Sequence, residues 1–342
     1  MKKRTPIALL VDDGCPLIHV YRNHWVDVHA RAPLTDDGRP LLEIIPNAFL
    51  DRFCDVVARH GMAGKFSIVP APAGLGDVVQ GITGFDPHLT RAWLDTARTR
   101  LGGRFDFCPE GLTHNLAVDL ATGKALPQGE AAWSQSQDRR TLTPYLIRQL
   151  ELLKIAGVDV TGITSCWVFG QQVEAEYIAS IVAALKAIYH RDLSWFFLHI
   201  WHNYPVAKPY IAYGRAEAML VAINSTVADL FWQTINCPHT DQTYLESVAD
   251  QLLTADGRGG AIRAVLDAGG WPILMTHWQS FFSNGLETGL AVLDILGQRI
   301  TNTLVDDVEW ISCLEVAERT LAEWHQIQQV GRTSPAAPVR GV

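Results

Sequence analysis

None of the six cysteines has a close partner. Cys15, Cys54, Cys108, Cys166, Cys237 and Cys313 are scattered over 342 residues with no CxxC pair. That excludes a paired-thiol motif, and in a chain of this size the pattern reads as buried thiols in a reducing compartment. Long apolar runs are also missing, since no stretch reaches the roughly 18 uninterrupted apolar residues of a membrane span. The basic start Met1-Lys2-Lys3-Arg4 leads only into Ile7 to Val11, too short for a signal core and ended by two aspartates. A cytoplasmic location is therefore expected. Nor is there an excess of positive charge. The net charge is -8 and the pI about 5.8, which argues against a binder of nucleic-acid phosphates and leaves a neutral sugar-like or amide substrate open. Internal repeats and low-complexity linkers are lacking too.

What is present is a folded pattern, 48% hydrophobic and 19% charged, in a chain long enough for one large barrel or two ordinary domains. One domain over residues 1–330 is expected, followed by a disordered tail over 331–342 that carries Thr-Ser-Pro-Ala-Ala-Pro. Eight apolar runs read as strands: Ile7–Val11, Lys65–Val69, Arg104–Cys108, Val160–Val168, Trp195–Trp201, Met219–Asn224, Trp271–Thr276 and Val308–Cys313. They are nearly continuous in hydrophobicity, which suits parallel strands covered on both faces.

Between them lies helical spacing. Phe49, Phe53, Val56, Val57 and His60 share a face after Pro46, and Gly61 closes that segment. Thr143 and Pro144 look like a helix start, with Tyr145, Leu146, Gln149, Leu150 and Leu153 on one side before Gly157. Ile178–Ile188 and Tyr244–Leu253 read the same way. Alternation over the whole length implies parallel βα units, closed into a barrel or left as an open sheet. Stretches near Asn23–Pro40, Pro70–Leu89 and Val118–Asp138 read as long rim loops.

Chemistry concentrates at three strand ends. Leu10-Val11-Asp12-Asp13-Gly14-Cys15-Pro16 puts two carboxylates where charge must be solvated, paired or metal-bound; an Asx turn before Gly14 is the plainer alternative. Cys108-Pro109-Glu110-Gly111-Leu112-Thr113-His114-Asn115 supplies two good ligands for a divalent cation, Glu110 and His114, with Asp119 in reserve. Pro272-Ile273-Leu274-Met275-Thr276-His277-Trp278-Gln279 ends on an imidazole able to change protonation near neutral pH. Aromatic and imidazole groups follow two of the strands: His19, Tyr21, His24 and Trp25 after the first, and His199, Trp201, His202 and Tyr204 after the fifth. Of these, His19, Trp201 and His202, together with Trp278, are candidates to touch substrate. His60 reads as core-adjacent, and His239 and His325 as surface residues.

The order strand–DDG–Pro, a motif ending in Thr-His after the third strand, and a late Ile-Leu-Met-Thr-His resembles the polysaccharide-deacetylase (NodB-homology, carbohydrate esterase family 4-like) superfamily. Leu150–Gly157, Ile163 and Val168–Gly170 resemble its approach to a third motif, and Trp310-Ile311-Ser312 with Glu315 its closing strand and helix. The likeness spans Ile7 to Ala322. It implies a distorted TIM-like β/α barrel of the glycoside hydrolase/deacetylase type. It implies Asp12 as catalytic base, Asp13 and His114 as metal ligands, and His277 as general acid. Glu110 stands where the family has a second histidine, and Cys166-Trp167-Val168-Phe169-Gly170 lacks the family's arginine and proline. The expected activity is metal-dependent removal of an acyl group from a carbohydrate or small amide. Zinc is the expected ion, with nickel, cobalt, manganese and iron also compatible with N/O ligands. A glycoside hydrolase using Asp12 or Asp13 with Glu110, or an inactive carbohydrate binder, are the alternatives.

Overall fold

The structure, a computed structural model, describes residues 3–22, 34–35, 37–215 and 217–333. All eight apolar runs contain strands: β1 (Thr5–Asp12), β2 (Gly64–Ile68), β3 (Phe105–Pro109), β4 (Gly162–Thr164), β5 (Leu193–Phe197), β6 (Ala218–Ala222), β7 (Ile273–His277) and β8 (Val308–Trp310). β1 pairs in parallel with β2 and β7, β2 with β3, β4 with β5 and β5 with β6. Parallel bridges Phe107–Val160 and Glu110–Thr164 join β3 to β4, and Val227 bridges Leu274 to close the ring. Among the described residues, β8 pairs only with Thr5–Ile7 at the start of β1. The result is a distorted β/α barrel of the TIM-like kind. Its distortion has a visible source: the strand Tyr210–Arg215 lies antiparallel on the free edge of β6, so closure onto β7 falls to the segment beyond β6.

Alternation along each strand sorts side chains into two apolar layers. Ile7, Leu9, Val11, Phe66, Ile68, Phe105, Phe107 and Leu274 pack outward, in the cluster shared with the helices. Ala8, Leu10, Cys108, Ile273 and Met275 point inward with Trp195 and Phe197. The same parity carries Asp12, Lys65, Ser67, Glu110 and His277 to the inside. Register completes the placement, because Asp12 lies opposite His277 on neighbouring strands.

Several local expectations change. The helix expected from Thr143 begins earlier, at Arg139, because Asp138 caps it in a reciprocal pair with Thr141; Pro144 then sits inside the helix, near its first turn. The stretch 118–138 is not a plain loop but contains a hairpin (Leu116–Asp119 with Lys124–Gly129) and the short helix Glu130–Ser134. The final helix runs Cys313–Thr333, so residues 331–333 are helical and not tail; residues 334–342 lie outside the described ones, as does most of the 23–40 stretch. The other helices fall as the spacing indicates, at Asn47–Arg59, Glu174–Tyr189 and Gln242–Leu252. All six cysteines are buried and free. No helix among the described residues is long and apolar enough to cross a membrane.

Trp278 is the clearest correction. Expected to touch substrate, it is fully buried, with its ring centroid 4.6 Å from Phe49, 5.3 Å from Phe53 and 5.2 Å from Phe66. One residue past the inward-facing His277, it falls on the outward parity and packs under the helices. Truncating it should leave a cavity: Trp278→Ala is expected to lower unfolding free energy by about 3–5 kcal/mol in denaturant titrations. A loss near zero would contradict a core role.

Candidate metal centre and active-site cavity

Asp13 and His114 lie just past β1 and β3, and both adopt left-handed backbone, with φ of 62° and 54°. Such conformations are costly for non-glycine residues and persist where surroundings impose them. At the first, a Cβ on Gly14 would meet the Ser67 carbonyl oxygen at 2.3 Å, so only glycine lets the chain turn against β2 there. At the second, the imposing group is Glu130. Its buried carboxylate accepts from the backbone N–H groups of Leu112 (2.8 Å), Thr113 (3.0 Å) and His114 (2.8 Å), and from the Tyr145 hydroxyl (2.6 Å). Gly111, at φ 65°, has no room for a Cβ, which would fall 2.4 Å from Glu130 Oε2.

Three side chains from these ends converge. Asp13, Glu110 and His114 each offer a ligand atom, all buried and within 4.8 Å of one another. His114 Nε2 lies 2.8 Å from Asp13 Oδ1 and 3.5 Å from Glu110 Oε1. The second oxygen of each carboxylate is tied elsewhere. Asp13 Oδ2 accepts from Gln279 Nε2 at 2.5 Å, while Glu110 Oε2 accepts from the Asp13 N–H at 2.7 Å and from the Ser67 hydroxyl. Each carboxylate is thus oriented to present one oxygen, as supporting hydrogen bonds do around metal ligands. Two carboxylates and an imidazole fit a divalent cation in charge and donor type.

Around them the electrostatics are strongly shaped. Burial works against the charged form of Asp13, but the His114 charge and hydrogen bond outweigh it and hold this carboxyl well below the usual range. His114 is likewise opposed by burial, yet pushed well above an ordinary histidine by Asp13 and Glu110. Binding a cation there therefore means displacing a proton from His114. Burial, then the Glu110 charge, raises Asp12 to about 7 against the pull of Lys65 and His277. Lys65, fully buried, donates to Asp12 Oδ1; burial disfavours its charge, but Asp12 overrides this and keeps it raised. His277 Nδ1 pairs with Asp229 Oδ2 at 2.7 Å. Against burial, that bond and the Asp13, Asp229 and Asp12 charges lift His277 to about 9.

Asp12, Asp13, Glu110, His114 and His277 all line one cavity of about 600 Å³, as does His202, whose Nε2 meets the Ser225 hydroxyl at 3.3 Å. His19 and Trp201 do not. His19 is fully buried behind the wall, its ring 6.4 Å from Tyr21 and 6.5 Å from Phe282. Trp201 is stacked between His199 (6.0 Å) and Tyr210 (5.9 Å), held by the antiparallel strand away from the lining. Asp119 is no reserve ligand, because it turns the hairpin by accepting from Ala121 N–H and the Thr122 hydroxyl. Tyr21 does reach the cavity, whereas Tyr204 is exposed and His199 pairs with Glu174. His60 is bonded to Asp294, and His239 and His325 are exposed. His24 and Trp25 lie outside the described residues.

Sequence reasoning missed Lys65, Glu130, Asp229 and Gln279. Lys65 had a usable signal: a cation in an apolar strand raises the same question as Asp12-Asp13. It brings a cation to Asp12 from β2.

No family model and no curated protein matches the chain. Solved structures do. The chain is similar to polysaccharide deacetylases. A Mycobacterium smegmatis protein named as a polysaccharide deacetylase is 14% identical, with TM-score 0.47 over 100% of this chain and 96% of its own. A Parabacteroides distasonis protein named as a glycoside hydrolase/deacetylase is 12% identical, with TM-score 0.48 over 92% and 70%. A Bacillus anthracis pseudoenzyme of the CE4 family is 8% identical, with TM-score 0.41 over 93% and 66%. At such identities and scores these neighbours do not speak to substrate or reaction, and the barrel is read from its own strand ring.

If Glu130 fixes the ligand-bearing loop, Glu130→Gln should weaken zinc binding by about 10–100-fold in competition titrations, although Glu130 touches no ion. Unchanged affinity would remove it from the site's support.

Proposed function

We propose that this chain is a divalent-metal-dependent hydrolase that removes an acyl group from an N- or O-acylated carbohydrate or a related small amide. One observation carries the reading. Asp13, Glu110 and His114 converge within 4.8 Å beside Asp12 on Lys65 and His277 on Asp229, all facing the same cavity. Zinc is the ion we assign. Asp13, Glu110 and His114 would hold the divalent ion, which would supply Lewis-acid polarisation and lower the pKa of a water. Asp12, whose carboxyl burial pushes up from the ordinary range, accepts the proton of the attacking water, the task of a general base. His277, held as imidazolium through Asp229, protonates the departing amine or alkoxide. Asp229 is a positioning residue, fixing the ring through Nδ1 so that Nε2 remains the donor.

The glycosidase alternative fares worse. It needs Asp12 or Asp13 paired with Glu110, whereas Asp12 is held by Lys65, and Asp13 and Glu110 each have one oxygen engaged and the other turned towards His114. The inactive-binder alternative rested on the missing arginine, and Lys65 weakens that ground.

Elemental analysis combined with turnover separates the assigned roles. Asp13→Ala and His114→Ala should each lose the ion, while Asp12→Asn should keep it and lose turnover by about 100-fold or more. Normal metal stoichiometry in both ligand variants would sink the assignment.

The acid role predicts a pH limb. His277 carries its proton below about 9, so turnover should fall as pH rises through that value. Asp229→Asn leaves an oxygen to accept the bond but removes the charge that strengthens it, and the alkaline limb should move down towards the ordinary 6.5. An unmoved limb would mean that another group sets it.

A further inference from the structure

We infer that the part of the substrate beyond the scissile bond is apolar or aromatic rather than a polyhydroxylated sugar ring; this rests on the hydrolase reading above and narrows it. The cavity of about 600 Å³ is the size of a small-molecule site. Past the catalytic groups, its described lining is formed by Phe197, Leu198, Ile200, Met275, Trp232 and Trp167, with Tyr21 adding a ring edge-on to Trp232 at 5.3 Å. A sugar ring brings several hydroxyls, each needing a partner once it leaves water. Apart from the catalytic groups, the small polar side chains in this wall each have a protein partner. Ser165 Oγ is bonded to the Tyr177 hydroxyl at 2.9 Å, His202 to Ser225, and Asp229 to His277. Apolar surface, by contrast, is offered directly: Ile200 is 50% and Trp167 65% exposed, and a bound ring would remove that area from water. The class of substrate that fits is a small uncharged amide or ester bearing an aryl or comparable apolar group.

The test compares simple amides: acetanilide and N-acetylglucosamine share an N-acetyl group, and benzamide carries its ring on the acyl side. Calorimetric titration of the full chain with acetanilide, benzamide and N-acetylglucosamine, each with and without zinc, should show at least one aryl amide binding about tenfold or more tighter than the sugar amide. This preference should persist without zinc, because the wall does not involve the ion. The double variant Trp167→Asn, Ile200→Asn changes two accessible side chains, and asparagine tolerates the positive φ of 54° at Trp167. It should weaken aryl-amide binding about tenfold and leave zinc binding unchanged. If zinc binds and N-acetylglucosamine binds as tightly as the aryl amides or tighter, the substrate class falls while the hydrolase reading stands. If neither zinc nor any amide binds, both fall together.

Discussion

Three carboxylates, Asp12, Asp13 and Glu110, are forced together at the buried mouth of the barrel, and the surrounding structure answers that charge. Strand parity and register bring them there, since Asp12 and Glu110 continue the inward-facing sets of β1 and β3. Leaving such groups unpaired in a low-dielectric site is costly. Each therefore has its own answer: Lys65 for Asp12, Gln279 and His114 for Asp13, and Ser67 with a backbone N–H for Glu110. The compensation is uneven. Asp13 is held ionised while Asp12 is raised to about 7, and the proposed division of two adjacent aspartates into ligand and base rests on that separation.

A second constraint is conformational. Two of the candidate ligand residues, Asp13 and His114, sit in left-handed backbone. Glu130 collects three consecutive backbone N–H groups of the β3 loop and is itself held by Tyr145, from the helix Arg139–Ile155. Strain at the site is thus balanced by a buried hydrogen-bond network outside it. The geometry of the ligand set depends on a residue that would never meet the ion.

Much of this was legible in the sequence where physics is local. Runs of apolar residues located the seven strands of the ring and β8 beside it, and charge at three strand ends picked out Asp12, Asp13, Glu110, His114 and His277, which share one cavity. What escaped was long-range. Asp229 lies 48 residues from its partner His277, in an irregular segment with no periodicity to read. Glu130 was hidden in a stretch of Gln, Ser and Gly that looked like a loop, because a short helix of 5 residues leaves little pattern. Trp278 and His19 misled for a related reason: adjacency in sequence to a strand end does not fix which face a side chain takes. The antiparallel strand Tyr210–Arg215, which draws Trp201 out of the cavity, breaks the simple βα alternation on which the barrel expectation was built.

The central claim is a divalent ion between β1 and β3. Anomalous scattering at the zinc edge, from crystals of the zinc-loaded full chain, addresses it directly. The account predicts one strong peak about 2.0–2.2 Å from an oxygen of Asp13, an oxygen of Glu110 and Nε2 of His114. A map with no peak there, or with zinc held only by other residues, would contradict it.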